Sequence, residues 1–336
     1  IIGPPQLVFF DDAPPKYQHD FSYRTLAGWM NYQRLFFKKT EISAGIRVEQ
    51  VYDQWYWMPR LTGEQKLWGW SLSLGYGSVY QHTYPLKEKS NHEKFAPFTI
   101  QFPAGNNPTR IHTLNARLSP PDDRFGIEIY GRRFYRVPLY DWASYRHYWS
   151  DGFAAGMELN SHGRLWWGEW LASYTLSTSR VAWRNRWLQS NQDRPHQLKL
   201  NWDFPFGNRW RLGLQFQFAS GYPYSTVTHW LPIYSGNDFV FTGAPMDFIP
   251  RFGDPNNANY PAYHRLDLSL EKVWNVGDGK LTGQLSILNL YNHKNVYYYG
   301  YEYEFYFLYA GIRPTATIEK VPNFPLLPTI HLAYQF

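Results

Sequence analysis

Eleven histidines and no cysteine are the first residues to weigh, because imidazole and thiolate hold metals and move protons. The absence of Cys excludes Cys-ligated metal and disulfide staples, and says little about compartment. No His-Glu-x-x-His pair occurs. His162-Gly-Arg and His264-Arg read as turn and strand-end residues rather than ligands. Gly75-Tyr-Gly77 is too short for a dinucleotide fingerprint, and no Gly-x-Ser-x-Gly nucleophile elbow is present. The reading is of a protein that is not an enzyme, with no catalytic residue, no metal and no cofactor.

Two other sets of polar residues remain. The first recurs every second position, with Arg47, Glu49, Arg117, Glu128, Glu169, Lys199, Arg211, Arg265, Asp267 and Glu271 on the polar side of alternating runs. Their mixed signs suit a hydrated wall and give no strong anion or cation preference. The second is aromatic and falls in long irregular stretches. Tyr222, Tyr224, Trp230 and Tyr234 lie in one, and Tyr297 and Tyr299 begin another that runs to Tyr309. Tyr and Trp combine contact area with a hydrogen-bonding tip, so these are the candidate ligand-binding residues.

The elements that must position them are strands. Tyr263 to Trp274 alternates strictly, with Leu266, Leu268, Leu270 and Trp274 on one side and Arg265, Asp267, Ser269 and Glu271 on the other. The same pattern marks Glu41–Val48, Trp68–Gly77, Arg110–Leu118, Phe125–Tyr130, Gln197–Phe204 and Trp210–Phe218, and strands are also read over 152–159, 164–176 and, weakly, Leu7–Phe10. Small inward residues such as Gly75 and Gly77 suggest a wall lying against something else. Turns are expected near 38, Leu61–Glu64, 121, Ser161–Gly163, 206 and 277. Long segments are expected over 81–108, 137–150, 177–194, 220–261 and 291–325.

Alternating short and long connections characterise outer-membrane barrels, and a soluble sandwich or propeller is the rival architecture. Aromatics near the turns, among them Trp202, Phe204, Trp210 and Trp274, match an interfacial girdle. No run of 18 apolar residues exists, so spanning helices are excluded. A net charge of +6 spread along the chain gives no nucleic-acid surface. Ile1 to Pro5 lacks the features of a secretory leader.

Several stretches, in order over 42–336, resemble the barrel of a TonB-dependent receptor of the bacterial outer membrane. They are Ile42-Ser-Ala-Gly-Ile-Arg-Val-Glu49, Pro59-Arg-Leu61, Leu74-Gly-Tyr-Gly77 with Gln81 and Pro85, Arg194-Pro-His-Gln-Leu198, Ser220-Gly-Tyr-Pro223, Tyr263-His-Arg-Leu-Asp-Leu268, Leu288-Asn-Leu-Tyr-Asn292 with Asn295, and Leu327-Pro-Thr-Ile330. The resemblance implies an all-β, antiparallel transmembrane barrel in a Gram-negative outer membrane. Residues 1–336 would supply the C-terminal portion, about 14 strands of a 22-stranded barrel. Short turns would be periplasmic and long loops extracellular. A plug domain, and the contact it makes with a TonB-type coupling protein, would lie outside this chain. Lumen-facing Arg47, Glu49, Lys199, Arg211, Arg265, Asp267 and Glu271 would then line the passage. The implied function is energised uptake of a siderophore, glycan, peptide or vitamin-like nutrient, with a structural barrel subunit or passive pore as the alternative. Implied partners are outer-membrane lipid, the barrel-assembly machinery and a surface lipoprotein. The closing row Ile330, Leu332, Tyr334 and Phe336 implies an assembly signal at Phe336.

Overall fold

The computed structural model describes residues 25–36, 39–51, 53–87, 99–103, 107–141, 146–165, 167–233, 247–308 and 311–336. Leu7–Phe10, Tyr234 and Tyr309 lie outside the described residues. The strands are β1 (Thr25–Phe36), β2 (Thr40–Val51), β3 (Gln54–Leu67), β4 (Trp70–Gln81), β5 (Thr83–Lys87), β6 (Thr99–Pro103), β7 (Thr109–Ser119), β8 (Phe125–Asp141), β9 (Arg146–Leu165), β10 (Gly168–Trp183) and β11 (Arg186–Gln189). They continue with β12 (His196–Phe206), β13 (Trp210–Ala219), β14 (Pro223–Tyr224), β15 (Val227–Ile233), β16 (Asp247–Phe252), β17 (Ala258–Asn259), β18 (Tyr263–Val276), β19 (Gly279–Leu288), β20 (Val296–Leu308), β21 (Gly311–Pro322) and β22 (Leu327–Gln335).

One antiparallel sheet runs β1-β2-β3-β4-β7-β8-β9-β10-β12-β13-β18-β19-β22, with β11 paired to β10. Its strands follow chain order, with β5–β6, β14–β17, β15–β16 and β20–β21 set aside in the connections, so this is a meander with β1 and β22 as its edges. The remaining pairs, β5–β6, β14–β17, β15–β16 and β20–β21, are hairpins or short ribbons within the long connections. From β9 onward short and long connections alternate as the sequence rhythm predicts, and β4 to β7 is long, but only two residues join β2 to β3 and only four join β8 to β9.

The pairing register carries each strand's alternation across to the next. Lys199 faces Gln217, which faces Arg265. Asn201, Gln215 and Asp267 form the adjacent row, and Arg211 faces Glu271, which faces Gln284. Further along, Glu41 faces Glu64, which faces Ser73, then Arg117, then Glu128, then Glu158. All ten charged residues predicted to share a side do so. On the other face Leu74, Ala116, Ile129 and Met157 form one row, and Trp202, Leu214, Leu268 and Ile287 another.

Among the described residues, nothing covers the apolar face. Leu74, Leu114 and Ile129 are 55%, 62% and 57% exposed although each sits mid-sheet. The few buried apolar side chains, such as Met58 and Val181, make no second layer. A sandwich would hide these rows, so the sheet needs an apolar medium around it. Aromatics flank the aliphatic band. Near the short turns, Trp70 meets Phe125 at 5.7 Å, Trp167 meets Trp202 at 4.4 Å and Phe206 meets Trp210 at 6.0 Å. Toward the long connections, three Tyr hydroxyls bond His Nδ1 atoms: Tyr76–His112 at 2.9 Å, Tyr174–His196 at 2.8 Å and Tyr291–His264 at 2.8 Å. From His264 to Trp274 is about 33 Å of strand, which a tilt of about 40° reduces to about 25 Å, the height of a bilayer's apolar band.

Some predicted boundaries are corrected. Leu61–Glu64 is no turn: Thr62 and Gly63 pair with Ser43 and Ile42 inside β3, and the chain reverses at Trp68 and Gly69, both with positive φ. Trp68 is thus a turn residue and not part of the apolar row. Ser161–Gly163 lies within β9, where His162 and Gly163 pair with Leu171 and Trp170, and the reversal falls after Leu165. Gly163 makes room for a neighbour, since a Cβ there would meet the Trp170 indole at 3.0 Å. Segments 137–150 and 177–194 are partly strand, because β8 runs to Asp141, β9 starts at Arg146 and β10 runs to Trp183. The expected loop 291–325 contains the β20–β21 hairpin. Gly75 faces a neighbouring side chain in its own sheet, Asn115 Oδ1, where a Cβ would collide.

Candidate functional site

The polar face is a wall of short-range ion pairs. Arg265 Nη2 lies 2.8 Å from Asp267 Oδ2, and both side chains are four-fifths shielded or more. Arg211 Nε is 3.5 Å from Asp203, and Arg47 Nε is 3.6 Å from Glu49. Near the short turns Arg117 meets Asp123 at 3.1 Å. Among the described residues no ion pair engages Lys199 or Glu271. A trough of about 1060 Å³ lies along this wall, lined by Arg211, Gln215, Arg265, Asp267, Ser269 and Glu271 among others. Most charges there are met by an opposite charge close by. The surface is therefore wet and close to neutral, and it holds no fixed ligand-charge preference. Of the residues predicted to line the passage, Arg211, Arg265, Asp267 and Glu271 share the trough; Lys199 stands in the same row system, and Arg47 and Glu49 form their own pair on β2.

The long connections form a rim at one end of that wall. The β10–β12 segment is fastened by Asp193, which accepts from Ser179 N–H at 2.8 Å and Gln189 Nε2 at 3.2 Å. Arg194 donates Nε–H to the Ser220 carbonyl at 2.7 Å, and its guanidinium lies 4.4 Å from the Tyr222 ring centre. His196 N–H donates to Ser220 Oγ at 3.1 Å. The Arg194-Pro-His and Ser220-Gly-Tyr-Pro segments, apart in sequence, therefore make one joint. Asn256 crosses back, donating Nδ2–H to Gln189 O at 2.8 Å and to Asn191 Oδ1 at 2.6 Å, and Arg186 pairs with Asp254.

The aromatic candidates divide. Tyr224 and Tyr299 meet at 5.2 Å, and both pack on Tyr260, at 4.5 Å and 5.1 Å. Burial, then the Tyr299 phenol, pushes the Tyr224 phenol up from its ordinary value. These rings join the 220–262 and 289–326 connections. Tyr222 is held under Arg194, and Trp230 lies half-buried on β15. Tyr297 is 60% exposed and touches Tyr298 edge-on at 5.5 Å. Tyr260, Tyr263 and Arg194 belong to the same rim; Arg194 and Tyr263 open two of the motifs read from sequence, but none of the three is among the candidate ligand-binding residues. Their partners are distant along the chain, and no local pattern marks these contacts. At the other end of the wall, Phe336 is fully exposed, with its ring edge-on to Tyr334 at 5.1 Å.

His82 follows β4 near this rim. Its Nδ1 and Nε2 are shielded and have no hydrogen-bond partner among the described residues, and the Tyr56 ring stands edge-on at 4.7 Å. Burial holds the imidazole below its ordinary value, and the Glu49 carboxylate offsets part of this. The unfolded chain, titrating near about 6.5, then takes up this proton before the folded chain does. Stability from His82 is complete above that value and is lost as pH falls through the folded value. Replacing His82→Asn should flatten this acid limb. Denaturant midpoints compared at about pH 7.5 and pH 5.5 check it. Equal slopes for the two proteins would refute the assignment.

No protein-family model matches the sequence, and no curated protein matches it. Solved structures do. The chain is similar to the receptor in the FpvAI–pyocin S2 complex, at 12% identity and a TM-score of 0.56, covering 93% of this chain and 39% of that one. It is similar to the ferric-catecholate import receptor Fiu from K12 E. coli, at 12% identity and 0.57, covering 93% and 44%. It is also similar to the FrpB iron transporter from Neisseria meningitidis, at 12% identity and 0.57, covering 93% and 45%. The fold of this chain is that of part of an antiparallel β-barrel wall, and it spans less than half the length of these structures.

Proposed function

We propose that this chain forms wall and rim of an outer-membrane receptor that takes up a scarce nutrient by energised transport, in the manner of TonB-dependent receptors. One observation supports the reading: a single-layer sheet carries an aliphatic, girdled face on one side and a polar, ion-paired face on the other, in a fold shared with receptors for iron compounds. Those neighbours include a ferripyoverdine receptor of the outer membrane and a ferric preacinetobactin receptor. An iron chelate is therefore the first ligand class to test, ahead of glycan, peptide or vitamin-like compounds. Tyr222, Tyr224, Trp230, Tyr234, Tyr297 and Tyr299 are its candidate contacts, and the near-neutral inner wall is its passage. A TonB-type protein acting through a plug domain supplies the energy.

The test is growth and labelled-chelate uptake by cells whose iron supply depends on the whole gene product, with and without a proton-motive-force uncoupler. Uptake should occur and collapse with the uncoupler. Uptake indifferent to the uncoupler, together with a large steady conductance in planar bilayers, would establish a passive pore instead.

A further inference from the structure

Two imidazoles at the rim are held face to face. The His264 and His293 rings stack with centres 3.7 Å apart and planes 26° from parallel. Each backbone is clasped by one buried asparagine. Asn295 accepts from His264 N–H at 2.9 Å and donates to its carbonyl at 2.8 Å. Asn289 does the same for His293, at 3.0 Å and 2.9 Å. Neither residue can withdraw without breaking its asparagine pair. Stacked rings do not aim their lone pairs at a common point, so the pair is not built to chelate an ion.

The surroundings decide what protons do there. His264 Nδ1 meets the Tyr291 hydroxyl at 2.8 Å. A hydroxyl can turn from donor to acceptor, so one proton on His264 keeps this bond. A second proton, on His293, meets a cation instead. Among the described residues no ion pair engages either imidazole. Asp267 is occupied by the Asn289 N–H and the Arg265 guanidinium. Arg194 lies 5.8 Å from the ring centre of Tyr263, next to His264, and Lys294 follows His293, so the other charges nearby are positive. From β13, Phe218 and Ala219 face His264 and Tyr263, and Asn323 to Leu326 bring no titratable side chain.

Two imidazolium rings in contact repel, and more so where water is partly excluded. We propose that this stack is a proton-operated release of the rim. Charging both rings parts them and breaks the Asn289 and Asn295 clasps. The turn 289–295 then comes away from the head of β18. With it go the Asn323 N–H bond to the Asn295 carbonyl, at 2.7 Å, and the Leu326 N–H bond to Asn292, at 3.0 Å, which fix the approach to β22. Tyr299, four residues beyond Asn295, loses its anchorage on Tyr224 and Tyr260. Acidification at the rim therefore loosens the aromatic joint between its two longest connections, whatever the rim binds.

Hydrogen exchange of the full chain, refolded in detergent micelles, tests it, with protection corrected for the intrinsic exchange rate at each pH. The comparison is between about pH 7.5 and pH 5.5, which brackets the ordinary imidazole value and stays above the ordinary carboxylate range. Protection at the Asn323 and Leu326 amides should fall roughly tenfold or more in wild type, while mid-strand amides of β10 and β12 hold theirs. His293→Phe keeps a ring in the stack that cannot be charged. It should abolish the fall and leave protection at the higher pH within a few-fold of wild type. If that variant does not fold, His264→Gln should abolish the fall in its place. All these proteins retain His82, so a fall that persists in the variants would place the acid response elsewhere and overturn the release. No fall in wild type overturns it too, and a fall shared by the mid-strand amides would mark general acid destabilisation instead.

Discussion

Gly221→Ala should detach the rim while leaving the wall intact. A Cβ at Gly221 would fall inside the Tyr260 carbonyl and within 2.8 Å of the Pro261 carbonyl oxygen. Both obstacles are backbone, which cannot rotate away as a side chain can. Relief requires breaking the Tyr260 N–H to Tyr222 carbonyl bond of 2.9 Å and the β14–β17 pairing beside it. Tyr260 then leaves Tyr224 and Tyr299, and the joint made by Arg194 on Ser220 and Tyr222 loses its frame. Overpacking against unyielding atoms costs about 3 kcal/mol. The loss should be local, because the long strands pair without help from residues 220–262. Limited proteolysis of folded protein should cut the variant within 220–262 much faster than wild type, while denaturant unfolding of the barrel changes little. Gly63→Ala, where a Cβ meets nothing within 4 Å, is the control and should leave both unchanged. A Gly221→Ala protein as protease-resistant as wild type would sink the account.

That joint also shows where sequence reading stops. The two faces were legible because alternation is a local property and antiparallel pairing preserves it from strand to strand: Leu266, Leu268 and Leu270 can share only one side of β18. Turns were less legible, since glycine marks either a reversal or a crowded pairing. Gly63 and Gly163 have turn-like neighbours yet lie in strands, the latter under Trp170, while the reversal between β3 and β4 uses Trp68 at φ 48°. The β20–β21 hairpin was missed because its residues alternate Tyr with Glu and Gly, without the aliphatic row that marked the wall. The rim was visible only as motifs in order. What those motifs do depends on contacts such as Arg194 with Ser220 and Tyr224 with Tyr299, which no local period encodes.

Asn289→Ala should be the most damaging single substitution in the rim. Asn289 is fully buried and comes directly after Leu288, the last residue of β19. Its Nδ2 donates to the His293 carbonyl at 2.9 Å and the Phe324 carbonyl at 3.1 Å, and its Oδ1 accepts from His293 N–H at 3.0 Å. Its own N–H donates to Asp267 Oδ1 at 2.9 Å, tying the turn to the wall. Asn295 clasps His264 at both backbone groups nearby, at 2.9 Å and 2.8 Å, and Asn292 accepts from Leu326 N–H at 3.0 Å. Phe324 and Leu326 lead directly into β22, so this knot fixes where the last strand starts against β19. Alanine leaves two carbonyls and one N–H without their side-chain partner, a loss of about 1 kcal/mol each. It also occupies φ 55°, a left-handed value that asparagine tolerates and alanine resists by about 1 kcal/mol. The sum is about 4 kcal/mol. Asn289→Gly should recover only the backbone share, about 1 kcal/mol, and Asn289→Asp should keep the acceptor while losing both donors. Equilibrium unfolding orders the four proteins, and hydrogen exchange at the His293 and Leu326 amides locates the loss. An alanine variant within about 1 kcal/mol of wild type, or a glycine variant equal to wild type, would show that the side-chain bonds do not hold the knot.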